Sequence, residues 1–247
     1  MTSTQLLVIV AASFAGALVK GVTGLGYPVL AVPLIALVTG IEDAVVVVAI
    51  PNLVANIVLC WEARDARGDA RDLGRLVGFG IVGAVIGTVA LVRLPEQPLL
   101  IALACTVGVF VVQMIRRPEL GLDPATATRW SPVAGLFTGL MQGAVGVSGP
   151  IVATWLHGYR LAVQTYVFSV TVIFGVTGAV QLIVLALQGQ LLQGDRLLGA
   201  LLAGVGVVVA LPLGLRLRHR LSGPAFDKVV LGVLLVSAVS LVFEAFT

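Results

Sequence analysis

The chain contains little charge and little cysteine for its 247 residues. Charged residues make up 11% of it, whereas soluble domains contain about 25%. Cys60 and Cys105 each stand in an apolar stretch without a neighbouring histidine or a CxxC motif, which argues against a redox or metal role. No acidic residue lies in the middle of an apolar stretch, and neither a phosphate-binding nor a dinucleotide-binding glycine motif is present. We therefore expect no enzyme activity, no cofactor and no metal.

Hydrophobic residues, in contrast, make up 59% of the chain. Many of them form stretches close to the roughly 20 residues that a helix needs to cross a bilayer. These stretches do not alternate with polar residues, as the strands of a membrane barrel would. The pattern predicts an all-α integral membrane protein, with membrane lipid as a partner. The 15 basic residues are spread between the apolar stretches rather than gathered in one patch, which argues against a nucleic-acid partner.

Two glycine-rich stretches interrupt this pattern, at residues 21–28 and 143–150, and each ends in a proline. A broken helix is tolerated in lipid only where the break is buried in protein or lines a wet cavity, and paired breaks in two halves point to a transport site. The similarity between the two halves of the sequence continues into the helices that follow the breaks. It predicts two repeats, residues 1–122 and 123–247, each consisting of a broken or re-entrant helix followed by three transmembrane helices.

The distribution of basic residues separates two topologies. If each broken segment crosses the membrane, the two sides hold eight and six basic residues, whereas re-entrant segments give twelve and two. The second count fits the positive-inside rule. Residues 131–142 would also rise only about 18 Å as a helix, which is half a bilayer. We therefore predict six full crossings and two re-entrant segments in two inverted repeats, with the basic loops cytoplasmic and both termini outside.

Lys20 is the one ionisable residue well inside an apolar segment. It either reaches along its helix to the membrane interface or places a cation beside the first break, where intramembrane charge is usually functional. Asn52 and Asn56 are four residues apart and share one helix face. They either bind the oxygens of an anion or pair with neighbouring helices.

The prolines after each break, Pro28 and Pro150, suit the first position of a helix. Such a helix start directs free N–H groups and a positive dipole end at the glycine turn, which favours an anion. The alternative for the glycines is close helix packing, and the alternative for the polar residues of the second break is hydrogen bonding between helices. The predicted substrate site at the membrane midplane, between the two breaks, consists of Lys20, Thr23, Gly24, Gly26, Asn52, Asn56, Gln142, Gly146 and Ser148.

The glycine stretch at residues 21–26, residues 41–45 at the start of the next helix, and the second copy at residues 143–150 resemble the sulfite exporter TauE/SafE family. The resemblance covers essentially the whole chain. It implies a carrier in the bacterial inner membrane for small anions such as sulfite, sulfonates or sulfoacetate. The alternative is a non-transporting membrane subunit that assembles with a partner protein, and self-association as a homo-oligomer is left open.

Overall fold

The structure, a computed structural model, describes residues 1–116, 124–221 and 224–246. The long regular elements within these ranges are all α-helices: α1 (Ser3–Thr23), α2 (Tyr27–Thr39), α3 (Ile41–Glu62), α4 (Leu73–Arg93), α5 (Glu96–Arg116), α6 (Pro124–Val145), α7 (Gly149–Gly158), α8 (Val163–Leu187), α9 (Arg196–Leu221) and α10 (Pro224–Phe246). Six of them, α1, α3, α4, α5, α8 and α9, are long and apolar enough to cross a membrane. The prediction of an all-α integral membrane protein is confirmed. The predicted boundary between the repeats, at residue 122, lies outside the described residues.

Both predicted helix breaks are present, and each is shorter than its glycine-rich stretch. The non-helical residues are 24–26 in the first half and 146–148 in the second. Gly21 and Gly143 therefore lie inside α1 and α6. The proline after each break lies in the first turn of the next helix, where its missing N–H costs no hydrogen bond. We call α1 and α2 the first hairpin, and α6 and α7 the second hairpin.

The prediction of a half-length arm at residues 131–142, before the second break, is wrong. Helix α1 has 21 residues and α6 has 22, which corresponds to about 31–33 Å at 1.5 Å per residue. The arms after the breaks are short, with 13 residues in α2 and 10 in α7. Helix α6 is longer than its apolar stretch because it begins at Pro124, in a segment with several polar residues. Hydrophobicity alone underestimates the length of such a helix, since its first turns need not contact lipid.

The two arms of each hairpin return to the same end of the helical bundle. In the first hairpin, the Gln5 side chain donates a hydrogen bond to the Val38 carbonyl at 2.7 Å, so the start of α1 lies beside the end of α2. In the second hairpin, the hydroxyls of Thr128 and Tyr159 both donate to one carboxylate oxygen of Asp72 at 2.7 Å. Thr128 is near the start of α6 and Tyr159 directly follows α7. This hairpin therefore also begins and ends at one place.

The hairpins open to opposite ends of the bundle. Arg196, at the start of α9, forms ion pairs with Asp43 at 2.6 Å and Glu42 at 3.0 Å, at the start of α3. Since only Gly40 separates the end of α2 from the start of α3, the first hairpin opens to this end, which we call the Arg196 end. Helix α3 then crosses the bundle to reach the start of α4, where Asp72 holds the second hairpin. We call this the Asp72 end.

Each hairpin packs its long arm on a helix of the other half, α1 on α9 and α6 on α4. The contacts are so close that a Cβ on Gly21 or Gly143 would overlap the facing backbone, which is the small-residue packing typical of membrane helices. The facing residues correspond one to one at a spacing of 127 positions: they are Leu211, Gly214 and Leu215 in α9, and Ala84, Gly87 and Thr88 in α4. The two hairpins are thus held in equivalent ways.

Candidate functional site

The turn of the first hairpin depends on two glycines with left-handed backbone. Gly24 ends α1 with a φ of 82° and donates its N–H to the Lys20 carbonyl at 2.7 Å. Gly26 precedes α2 with a φ of 111°. In the second hairpin, Gly146 occupies the same kind of position with a φ of 70°. Glycine adopts these angles without the steric cost of a Cβ, so the turns themselves require these three residues.

Thr23 forms its hydrogen bonds within the first turn. Its hydroxyl has two carbonyl acceptors within reach, Val19 O at 2.9 Å and Leu25 O at 2.5 Å. The hydroxyl oxygen also accepts the Leu25 N–H at 3.2 Å. The sequence predicts Thr23 as a donor to the substrate. In the structure its one proton is already directed at the protein backbone.

Lys20 lies one turn before the first break and its side chain is buried, with 1% of the residue exposed. Its ammonium donates to Asn56 Oδ1 at 2.6 Å and to Asn52 Oδ1 at 3.1 Å. Both asparagines are buried on one face of α3, and Asn56 also donates to Asn52 at 3.4 Å. We call these three residues the lysine cluster. In the described part of the chain, no carboxylate lies within ion-pair distance of this ammonium.

The second hairpin places a neutral network at the equivalent position. Ser148 donates to the Gln142 side-chain oxygen at 3.1 Å, and the Gln142 amide donates to the Gln181 side chain at 3.3 Å. The Gln181 amide in turn donates to the backbone carbonyls of Gln142 at 2.9 Å and Gly143 at 3.3 Å. We call Gln142, Ser148 and Gln181 the glutamine cluster. Its members satisfy one another and the last carbonyls of α6.

The polar side chains of the predicted site form two hydrogen-bond networks, the lysine cluster and the glutamine cluster. Gly24 packs against Val167, four residues after the start of α8, whereas Gly146 packs against Val45, four residues after the start of α3. Gly146 also packs against Val32, and Gly149 packs against Val29, both in the first half of α2, so the two turns lie near each other. The expectation that they meet in the middle of the membrane stays a prediction. The lysine cluster remains near mid-depth, since Asn52 lies halfway along α3.

One basic residue beside the first turn is absent from the predicted site. The Arg218 guanidinium, on α9, donates from Nε to the Val22 carbonyl at 2.9 Å. Its Nη2 atom lies 3.8 Å from the position that a Cβ would take on Gly24. The sequence places Arg218 only among the basic residues of one membrane side, because its contact with Val22 joins residues 196 positions apart.

The family model described as Sulfite exporter TauE/SafE matches residues 8–241 of the chain. The chain belongs to this family of membrane transporters, as its resemblance at the glycine stretches predicts. This membership does not favour the alternative of a non-transporting subunit. No curated protein and no solved structure matches the chain.

Proposed function

We propose that this member of the TauE/SafE family transports a small oxyanion, such as sulfite or a sulfonate, which binds beside Lys20 near the middle of the membrane. The observation behind the proposal is the buried ammonium of Lys20, which contacts two amide oxygens and, in the described part of the chain, no carboxylate.

A buried cation without a counter-ion is costly in a membrane protein. Placing lysine at the centre of a membrane helix costs about 2.5–3.5 kcal/mol in insertion experiments. The asparagine oxygens recover part of this by hydrogen bonding but provide no negative charge. A bound anion would provide it. A lysine that reached the membrane interface would instead have a solvated ammonium, and the 1% exposure of Lys20 argues against that alternative.

The geometry of the lysine cluster suits an oxyanion. An ammonium has three N–H donors, and the two asparagine oxygens accept two of them. The third donor is available for an oxygen of the anion. Because Asn52 and Asn56 fix the position of the ammonium from a single helix face, the site would be largely formed before the anion binds. We therefore assign Lys20 as the charge partner and the two asparagines as its positioning residues.

Two inverted repeats are the arrangement that best supports such a transporter. The contact of Gln5 with Val38 at one end and the contacts of Asp72 with Thr128 and Tyr159 at the other agree with re-entrant hairpins that enter from opposite faces. Transporters of this type bind their substrate near the interface of the repeats. The positive-inside rule then assigns the Asp72 end, with most of the arginines, to the cytoplasm.

We further propose that the anion leaves the cell. A membrane potential that is negative inside drives an anion outward by about 2.3 kcal/mol per charge for each 100 mV. Transport in this direction needs no coupling ion, and no aspartate or glutamate in the described part of the chain lies beside the lysine cluster to relay a proton.

The first experiment is a thermal-shift panel of sulfite, thiosulfate, sulfonates and carboxylates on the purified protein, since a ligand that binds the folded state stabilises it. The preferred anion is then measured for flux in proteoliposomes. The K20Q variant should lose both the stabilisation and the flux.

The second lysine of the chain provides a matched control. Lys228 is exposed near the start of α10, so K228Q removes the same charge without touching the lysine cluster. We expect K228Q to bind and transport like the wild type. Equal flux in K20Q and K228Q would overturn the assignment of the site. A wild-type protein that neither binds nor moves any anion of the panel would overturn the proposed function.

A further inference from the structure

Arg218 is placed by the fold at the turn of the first hairpin. It lies one turn before the end of α9 and is only partly exposed. Its Nε atom donates to the carbonyl of Val22, in the last turn of α1, and its Nη2 atom faces Gly24. A cation at the carboxyl end of a helix interacts favourably with the helix dipole. This interaction accounts for the Nε–H donor of Arg218.

The remaining donors of the guanidinium have no protein acceptor in the described residues. A guanidinium has five N–H donors in a rigid plane, and the carbonyl of Val22 accepts from one of them. No carboxylate in that part of the chain pairs with Arg218. Most of its hydrogen-bonding capacity is therefore not used by the described residues, and its Nη2 atom faces the turn at Gly24.

Arg218 and Lys20 lie beside the same turn of α1. Val22 follows Lys20 by two residues, and the N–H of Gly24 donates to the Lys20 carbonyl. Helix α1 runs from the Arg196 end towards the Asp72 end, so Arg218 is the outer of the two cations as seen from the Asp72 end. An anion that entered from this end would reach Arg218 first.

The second hairpin shows that packing does not require this arginine. The equivalent contacts of Gly21 with α9 and of Gly143 with α4 are related by 127 residues along the helix that receives them. The same spacing places Leu91 at the position that corresponds to Arg218, and Leu91 is buried in an apolar cluster. A hairpin of the same design thus forms without a cation at this position.

We infer that Arg218 is a second anion contact, which captures the substrate at the Asp72 end of the first hairpin and delivers it to Lys20. The inference rests on the proposed function. Arginine is suited to the task because its planar donors bind an oxyanion in a bidentate manner. A cation at the mouth of a site also raises the local anion concentration and the rate of association.

The test is the initial rate of sulfite flux in proteoliposomes, measured against sulfite concentration at low and at high ionic strength. For R218A we expect about a tenfold higher half-saturation concentration at low ionic strength, because a lost rim charge slows association. The maximal rate should change by less than about twofold, because Lys20 still binds the anion. The difference should shrink at high ionic strength, where salt screens the charge. R218K should recover only the part of the affinity that comes from charge, since an ammonium cannot bind the oxyanion in a bidentate manner.

Arg216 provides the matched control. It lies two residues before Arg218 on the same helix and is exposed, so R216A removes the same charge from the same membrane side. We expect R216A to behave like the wild type. If R218A and R216A have the same half-saturation concentration, the inference is overturned, because only the overall surface charge would matter. It is also overturned if R218A lowers thermal stability and maximal rate together while the half-saturation concentration stays unchanged.

Two further outcomes separate this inference from the proposed function. If K20Q abolishes flux while R218A is indistinguishable from the wild type, Arg218 is excluded and the site at Lys20 stands. If the wild type moves no anion, both are overturned. Should R218A fail to fold, R218Q gives the same test, since glutamine keeps an N–H donor for the carbonyl of Val22 and lacks the charge.

Discussion

The two hairpins share one backbone design and differ in their charges. Each has a long arm, a three-residue break and a short returning arm, and each packs through glycines on a helix of the other half. At equivalent positions, however, the first hairpin has Lys20 where the second has Gln142. Beside the first turn stands Arg218, and the corresponding position near the second is occupied by Leu91.

This difference separates structural from chemical requirements. The glutamine cluster forms its hydrogen bonds internally, with Gln181 bonding the last carbonyls of α6. Such a network supports a broken helix and has no need of a ligand. The lysine cluster has the same location and an uncompensated charge. We conclude that the glycine turns are required by the fold and that the substrate site, as proposed, belongs to the first hairpin.

The largest expected effect comes from making the first hairpin like the second. K20Q should lower anion flux by at least about 100-fold, because removing one partner of a desolvated charge pair costs about 3–5 kcal/mol. Q142A, the matched change in the second hairpin, should lower flux by about threefold or less, since hydrogen bonds between membrane helices average about 0.6 kcal/mol. Both are measured as initial rates in proteoliposomes. Similar losses in the two variants would remove the functional distinction between the hairpins.

The packing of the two hairpins can be compared through stability. A Cβ on Gly139 would overlap the backbone of α4, and a Cβ on Gly21 would overlap that of α9. We expect G139A to lower the free energy of unfolding by about 3 kcal/mol and G21A by about 2 kcal/mol, because overpacked sites shift the backbone. Thermal unfolding in detergent measures both. G178A is the control, since no atom lies within 4 Å of a Cβ at this position. If G178A lost as much stability as G139A, the close glycine contacts would not be what holds the hairpins.

The positioning residues of the first hairpin should have an intermediate effect. N56A should raise the half-saturation concentration about tenfold, since a hydrogen bond to a charged group contributes about 1.5–3 kcal/mol. N52A should have a smaller effect, because its bond to Lys20 is longer, at 3.1 Å against 2.6 Å. In the second hairpin, Q181A should lower thermal stability and leave the half-saturation concentration unchanged. An altered anion affinity in Q181A would place the glutamine cluster in the substrate site.

The smallest effects are expected at the two ends of the bundle. R196Q removes ion pairs with Glu42 and Asp43 and should cost about 1 kcal/mol of stability, as partly exposed pairs do. D72N should cost about half as much, because an amide oxygen still accepts a hydrogen bond. Burial, and then the hydrogen bond to Asp72, raise the pKa of Tyr159, so this phenol remains a donor.

Differential scanning calorimetry of R196Q and D72N measures how much the contacts at the open end of each hairpin contribute to stability. D65N is the control. The Asp65 side chain is 93% exposed, and its distance of 4.0 Å to Arg64 is long for an ion pair, so its loss should have little effect on stability. A loss in D65N equal to that in R196Q would mean that the ion pairs at the Arg196 end have no special role.

The helices, the breaks and Lys20 could be predicted from the sequence because their signals are local. Apolar stretches, clustered glycines and a lone charge need no knowledge of neighbours. The length of α6 could not be predicted from hydrophobicity, since its first residues are polar. The roles of Gln181 and Arg218 could not be predicted, because they depend on contacts between helices that are distant in the sequence. Asn52 and Asn56 could be assigned to one helix face, while their bonds to Lys20 became visible only in the fold.

The exchange of partners between the halves has a consequence for how the protein assembles. The glycines of α1 pack on α9, in the second half, and those of α6 pack on α4, in the first half. Neither half therefore contains the helix on which its own first helix packs. A nascent first half would expose the glycines of α1 to lipid until the last helices were synthesised. Separately produced halves should therefore be unstable alone and recover a native bundle only when made together.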